Sequence, residues 1–246
     1  MNIFENLLIL GRPASGKSEF LDFMTKLADE ERSERFHLGK MRVMDDFVWL
    51  WEKFIEDDLW ERVTGKRLHS RRVGNLYVLG DADLFDFLME RMNREIVNRY
   101  LDDDAFFLDH TLLIEFSRGG ERPYAGAFER FSPEIFNRSA ILYIDVSAKE
   151  SARRNEARYR EKQKHTVLAH KCPDEDMNRF YRDDDWSDLT DGRASGFLEI
   201  KKANVPFVTM GNEPESTDPA VLGPRYGDAL ERLWELWCEK IPGASA

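Results

Sequence analysis

The run Gly11-Arg12-Pro13-Ala14-Ser15-Gly16-Lys17-Ser18 constrains this chain more than any other short segment in it. It follows an apolar stretch at residues 3–10. After it, Phe20, Leu21, Phe23, Met24, Leu27 and Ala28 recur at helical spacing. The spacing predicts a buried strand, a glycine-bounded loop and a helix, and the pattern G-x-x-x-x-G-K-S has a physical cause. A loop wrapped around a polyphosphate must turn several backbone N–H groups inward, and glycine permits the dihedrals this needs. The helix that starts there adds the positive end of its dipole. On this reading Gly11, Arg12, Pro13, Ala14, Ser15, Gly16, Lys17 and Ser18 form a cradle for a nucleoside triphosphate. Lys17 reaches the β- and γ-phosphates, and the Ser18 hydroxyl ligates Mg²⁺. The competing reading is a glycine-rich turn that holds no ligand. With the loop at residue 11, the expected strand opens the fold.

The rest of the chain alternates strand and helix patterns. A second strand is predicted over 35–44, ending at Asp45-Asp46. Phe47, Leu50, Trp51, Phe54, Ile55 and Leu59 then mark an amphipathic helix, followed by a basic loop at 66–72. Residues 81–101 read as a long helix with Leu84, Phe85, Leu88, Met92, Ile96 and Tyr100 on one face. Strands follow at 105–116 and 139–146, then a charged helix at 147–162. Residues 163–193 are polar with little periodicity and read as a mobile excursion, within which 177–181 fits a helical turn. A short strand at 205–210 and a helix at 226–237 complete the pattern. The expected architecture is a three-layer α/β/α fold around a parallel sheet of about five strands. No repeat or linker divides the chain, so one domain over 1–246 is expected.

Composition narrows the function classes. Acidic residues outnumber basic ones 47 to 36, a net charge of −11. That argues against a non-specific binder of nucleic acid or anionic membrane, both of which need a basic surface. A hydrophobic content of 42%, with 17 Phe and 6 Trp, is enough for a sizeable core. Two cysteines, Cys172 and Cys238, do not make a disulfide framework and suit a reducing compartment. The first apolar run carries Glu5 and is short for a signal peptide, and no run approaches a membrane span. A cytoplasmic protein is the expectation; nothing in the composition points to an oligomeric state.

With its strand, loop and helix in this order, the sequence resembles the P-loop nucleoside triphosphatases. It lacks the N-K-x-D element of a GTPase and an apolar run closing on Asp-Glu. Three features resemble the nucleoside and nucleotide kinase, or adenylate-kinase-like, group instead. Met44-Asp45-Asp46-Phe47 is similar to the Asp-Asp-Phe of uridine-kinase-like enzymes, and implies a carboxylate that orients and deprotonates an acceptor hydroxyl. Asp45 is the candidate; the plain alternative is a helix cap. Glu115-Phe116-Ser117-Arg118 is similar in part to the Phe-Pro-Arg of adenylate-kinase-like enzymes and the Glu-Arg-Ser strand end of deoxynucleoside kinases. The resemblance implies Glu115 in the outer shell of Mg²⁺ and Arg118 on the acceptor, against a surface ion pair. Arg154 and Arg158 share a helix face and resemble the start of a kinase lid, whose arginines clamp the transferred phosphoryl group. A solvated, ion-paired helix face is the alternative.

Together these imply an enzyme using ATP, or another NTP, and Mg²⁺ to phosphorylate a small acceptor, a nucleoside, nucleotide or similar metabolite that could be anionic. Residues 47–101 become the helical acceptor side and 150–193 the lid. The competing classes are a nucleotide-binding regulatory or partner-binding protein with slow hydrolysis and a polynucleotide end kinase. Nucleic acid and membrane partners fit the acidic balance poorly. Weaker signals are His165, His170 and Cys172, whose spacing does not form a paired metal site. Lys66 to Arg72 could hold an anionic group or offset nearby acids. Trp49, Trp51 and Trp60 could stack on a base but fit core positions better, as do Trp234 and Trp237.

Overall fold

A computed structural model describes residues 3–164 and 171–240. In chain order its elements are β1 (Asn6–Leu10), α1 (Lys17–Thr25), α2 (Asp29–Phe36), β2 (Lys40–Asp45), α3 (Asp46–Thr64), β3 (Ser70–Val73), β4 (Leu76–Leu79), α4 (Asp83–Arg99), β5 (His110–Phe116), α5 (Tyr124–Glu129), α6 (Pro133–Asn137), β6 (Ser139–Asp145), α7 (Ala148–Gln163), α8 (Asp174–Phe180), α9 (Trp186–Leu189), β7 (Ser195–Ile200), β8 (Ala203–Gly211) and α10 (Pro219–Lys240).

The apolar run before the loop becomes β1, buried along its whole length. Successive side chains of a strand point to opposite faces, so an apolar run without alternation needs cover on both sides. Leu7 and Ile9 pack under Phe20, Met24, Tyr226, Leu230, Trp234 and Trp237 of α1 and α10. Leu8 and Leu10 pack on the other face with Met89, Met92, Phe128 and Phe136 of α4, α5 and α6. The sheet order is β2-β5-β1-β6-β8-β7. The first five strands are mutually parallel, and β7 runs antiparallel to β8 at the edge. This is the expected three-layer α/β/α fold, with one more strand than expected.

Several boundaries differ from the sequence expectation. Arg35 and Phe36 belong to α2, not to a strand from residue 35. Three acidic residues in its first turn suit the positive end of the helix, and His37 ends it at φ 55. The stretch 105–116 opens with a single 3₁₀ turn at Phe106–Leu108 before β5 begins. The basic loop at 66–72 runs into a hairpin of β3 and β4. Gly74, at φ 61, takes the first position of its two-residue turn.

The largest correction concerns 163–193. Residues 171–193 are packed, with Met177, Phe180, Tyr181 and Trp186 buried. Gly120 shows how closely: its N–H donates to the Asp183 carbonyl at 2.6 Å, and a Cβ there would lie 1.9 Å from the Arg179 carbonyl oxygen. The buried side chains are spread over two short helices, so no long period marks them. With Leu50, Phe54, Leu79 and Phe85, α8 forms a third apolar cluster beside the sheet. Among the described residues no helix is long and apolar enough to cross a membrane.

Candidate active site

The site is built around the turn that follows β1. Gly11 has φ 138, and a Cβ there would sit 2.4 Å from the Ile144 carbonyl oxygen. Gly16 has φ 117, and its Cβ would meet Asn212 Nδ2 at 2.2 Å. Both positions therefore demand glycine on dihedral and steric grounds. Between them Ala14 takes a left-handed φ of 57, a cost that a surrounding brace must offset.

That brace is visible. The Gly11 N–H donates to the Tyr124 hydroxyl at 3.0 Å, and Ser151 Oγ donates to the Pro13 carbonyl at 2.7 Å. Asn212 Nδ2 donates to the Ser15 carbonyl at 2.7 Å. Arg154 donates to the Asn212 carbonyl at 2.6 Å and to the Ser15 carbonyl at 3.4 Å, with its Nε on Glu150 at 2.7 Å. The Arg12 side chain leaves the loop to pair with Asp184 at 2.6 Å and to donate to the carbonyls of Tyr181 and Val146. The first-turn N–H groups of an α-helix have no intrahelical acceptor, and in α1, which starts at Lys17, no cap side chain takes them either.

Arg154 is thus a correction to the sequence reading. It is completely buried in the brace and shapes the loop from behind. The four-residue spacing to Arg158 suggested a joint clamp, but the two side chains have different surroundings. Arg158 lines the cavity at the loop, paired with Glu19 at 2.6 Å.

Next to the loop, β2 and β5 end side by side, with Asp45 in register with Glu115. Asp45 forms the helix cap weighed from the sequence and also reaches the cavity. Its Oδ1 caps α3 by accepting the Phe47 N–H at 2.8 Å, and the residue also lines the cavity. Burial, with Asp46 next door, pushes Asp45 up to about 6. Glu115 is pushed up to about 7, mainly by burial. Lys17 Nζ donates to the carbonyls of Gly11 and Arg12, each at 3.0 Å, and to Ser117 Oγ at 2.8 Å. Burial lowers the Lys17 pKa, while Glu115, Asp45 and Asp46 act in the opposite sense.

Asp46 has the other fate. It forms a 2.7 Å ion pair with Arg118, both side chains being buried. Arg118 also donates to the Ser117 carbonyl at 2.6 Å and lies 4.6 Å over the Phe85 ring. It is absent from the cavity wall, so the expected contact of Arg118 with an acceptor is corrected too. The guanidinium holds Asp46 and the end of β5 in place.

One cavity of about 200 Å³ runs from the loop across the carboxylates to an aromatic chamber. The loop end carries Ala14, Gly16, Lys17, Ser18 and Arg158; Asp45, Asp46 and Glu115 lie on the wall; Trp51, Phe54, Tyr77, Phe85 and Tyr181 line the far end. Trp51 lines the wall, packs half-buried against the third apolar cluster, and stands edge-on to Tyr77 at 5.3 Å. Trp49 is half-buried under Arg91, and Trp60 is exposed; Trp234 and Trp237 are core as expected. The basic segment does not reach the cavity. Arg67 pairs with Asp58 and Glu61, Arg72 with Asp58, and Arg71 with Glu175.

The residues fit Mg²⁺. A hard cation takes oxygen ligands and keeps several waters. The exposed Ser18 hydroxyl and the Glu115 carboxylate offer oxygens of this kind at the foot of the loop. Among the described residues no three or more His, Cys, Asp and Glu side chains form a metal cage. Cys172 lies on the cavity wall, while His165 and His170 fall outside the described residues. Sequence reasoning missed Tyr124, Asn212, Tyr77 and Asp176. None stands in a motif, and only the fold brings them to the site.

Comparison with protein-family models and with curated proteins finds no match. Among solved structures the chain is similar to a gluconokinase from Sinorhizobium meliloti 1021, at 12% identity, 96% coverage of each chain and a TM-score of 0.45. It is also similar to a sugar kinase from Janibacter sp. HTCC2649, at 13% identity, covering 95% of this chain and 98% of that one, with a TM-score of 0.43. The structure itself shows a three-layer α/β fold with a mainly parallel sheet and a braced glycine loop between β1 and α1.

Proposed function

We propose that this protein is an ATP- and Mg²⁺-dependent phosphotransferase acting on a hydroxyl of a small acceptor of nucleoside, nucleotide or similar type. The observation that carries this is the continuity of the cavity. Phosphate cradle, carboxylates and aromatic chamber line one space, so a donor phosphate and an acceptor can meet beside Asp45.

The loop amides and the start of α1 bind the donor phosphates, and Lys17 places its charge among them. Ser18, with Glu115 in the outer shell, would hold Mg²⁺, which when bound neutralises phosphate charge. Asp45 orients the acceptor hydroxyl. As the acceptor oxygen bonds to the γ-phosphorus and the bond to ADP breaks, Asp45 takes the hydroxyl proton. Its pKa near 6 suits a base working at neutral pH. Arg158 stabilises the charge spread over the transferred group. Arg118, Asp46 and Arg154 act at one remove by fixing the loop and strand ends that carry these groups.

The test is ADP release by purified protein with ATP and Mg²⁺ over a panel of nucleosides, nucleotides and sugars. Acceleration well above the basal rate by at least one acceptor supports the reading. A slow rate indifferent to every acceptor replaces it with a nucleotide-binding regulatory protein.

A further inference from the structure

The arginines beside the phosphate loop are held in two different ways. Arg12, Arg118 and Arg154 each donate to a backbone carbonyl as well as to a carboxylate. Arg158, on α7, lines the cavity, and its partners among the described residues are carboxylates. Its Nη2 lies 2.6 Å from Glu19 Oε1 and 3.6 Å from Glu215 Oε1. Glu215 is already engaged by Arg153 at 2.8 Å, which leaves Glu19 as the main restraint. Glu19 stands in the first turn of α1, one residue past Ser18, yet it is not on the cavity wall. The pair therefore ties α7 to the helix of the phosphate loop from behind that wall.

This tie is of the exchangeable kind. Both side chains are about a third exposed, 34% for Arg158 and 33% for Glu19, and an ion pair in contact with water holds weakly. Water can take over at Glu19 once the arginine leaves. A phosphate group, in turn, offers a guanidinium two oxygens in the geometry of its own fork. Burial is the main cause that lowers the Lys17 pKa, and the charge of Arg158 adds to it, so the two cations act on one space.

We propose that Glu19 is a positioning residue that holds Arg158 in reserve in the nucleotide-free protein, and that the phosphates of a bound donor draw Arg158 away from it. This rests on the donor side of the phosphotransferase reading. Donor binding then includes the breaking of one ion pair, so the carboxylate weakens donor binding through the arginine and not by its own field. The pair re-forms when the nucleotide leaves, which favours release.

Calorimetric titration with the β,γ-imido analogue of ATP and Mg²⁺, without acceptor, tests it. Glu19→Gln removes the charge. Glu19→Asp keeps the charge and shortens the side chain by one methylene, which breaks the 2.6 Å contact. Both should tighten binding by about three- to fivefold, the worth of one partly exposed ion pair. On an Arg158→Ala background the gain from Glu19→Gln should fall below about 1.5-fold, because the two residues act as one unit. Tighter binding is an outcome that damage to the fold does not give. Affinity unchanged or weakened in both Glu19 variants overturns the proposal. So does a gain with Gln but none with Asp, or a gain that persists in full beside Arg158→Ala: Glu19 would then act on the phosphates by its own charge. No binding by the unaltered protein overturns the proposal together with the phosphate cradle. Failure of the phosphotransferase reading alone looks different: the Glu19 variants bind the analogue more tightly as expected, yet no acceptor accelerates ADP release from ATP.

Discussion

Replacing Glu115 by glutamine should stabilise the protein at alkaline pH while removing turnover. The carboxyl is pushed from 4.5 up to about 7, with burial as the largest cause and the attraction of Lys17 already opposing it. The native state therefore holds this proton more tightly than the unfolded chain does. Stability falls as pH rises between about 4.5 and about 7, and above that range the full cost of the ionised group is present. At about 1.4 kcal/mol per pH unit that cost is about 3 kcal/mol. Glutamine carries no charge but is itself a polar group in a buried place, so a net gain of about 2 kcal/mol is expected. For a chain of this size that corresponds to a rise of about 4–8 °C in melting temperature at pH 8. Near pH 4.5 the native carboxyl is already neutral and the gain should vanish. Scanning calorimetry of both proteins at pH 8 and pH 5, without nucleotide or Mg²⁺, measures this directly. A Glu115→Gln form that melts at or below the unaltered protein at pH 8, or that shows the same difference at both pH values, refutes the claim that Glu115 is held at an energetic cost.

Other substitutions separate chemistry from support. Asp45→Asn should keep the helix cap, because asparagine caps as well as aspartate. It should not lower the melting temperature at pH 8, since it removes a carboxylate whose burial pushes it up to about 6. It should lower kcat by about 10²-fold or more through loss of the base. Asp46→Asn should cost about 3–5 kcal/mol by leaving Arg118 buried without its partner; the reverse pattern would exchange their roles. Arg154→Ala should cost about 3 kcal/mol by stripping the loop of its buried brace. Arg158→Ala should leave the melting temperature within a few degrees and lower kcat, since its pair with Glu19 is half-exposed. Melting curves and steady-state kinetics on the same preparations check both pairs.

The parts of the fold with a strong local signature were legible in the sequence. The buried run of β1, the glycine loop, the one-sided faces of α4 and α10 and the strand at β6 all follow from period and turn chemistry. The antiparallel edge strand β7 was not, because its Ser195-Gly196 start carries a weak strand signal. Helices α8 and α9 were hidden by their brevity, since one or two turns do not establish a period. At the site, residue type was a good guide to location and a poor one to role. Lys17, Ser18, Asp45, Glu115 and Arg158 do line one cavity. Arg118 and Arg154 come close to it but are buried in ion pairs with Asp46 and Glu150. Nothing in a spacing of four residues tells which arginine of a helix faces a loop carbonyl and which faces a cavity.

The destination of the γ-phosphoryl group tests the central claim most directly. With γ-labelled ATP, Mg²⁺ and the acceptor that most stimulates ADP release, the label should pass to the acceptor hydroxyl in step with ADP formed, with little appearing as inorganic phosphate. Lys17→Ala should abolish this transfer while keeping the folded melting transition. Label found only in inorganic phosphate, at a rate no acceptor changes, would contradict the account and leave a nucleotide-hydrolysing protein with another purpose for its aromatic chamber.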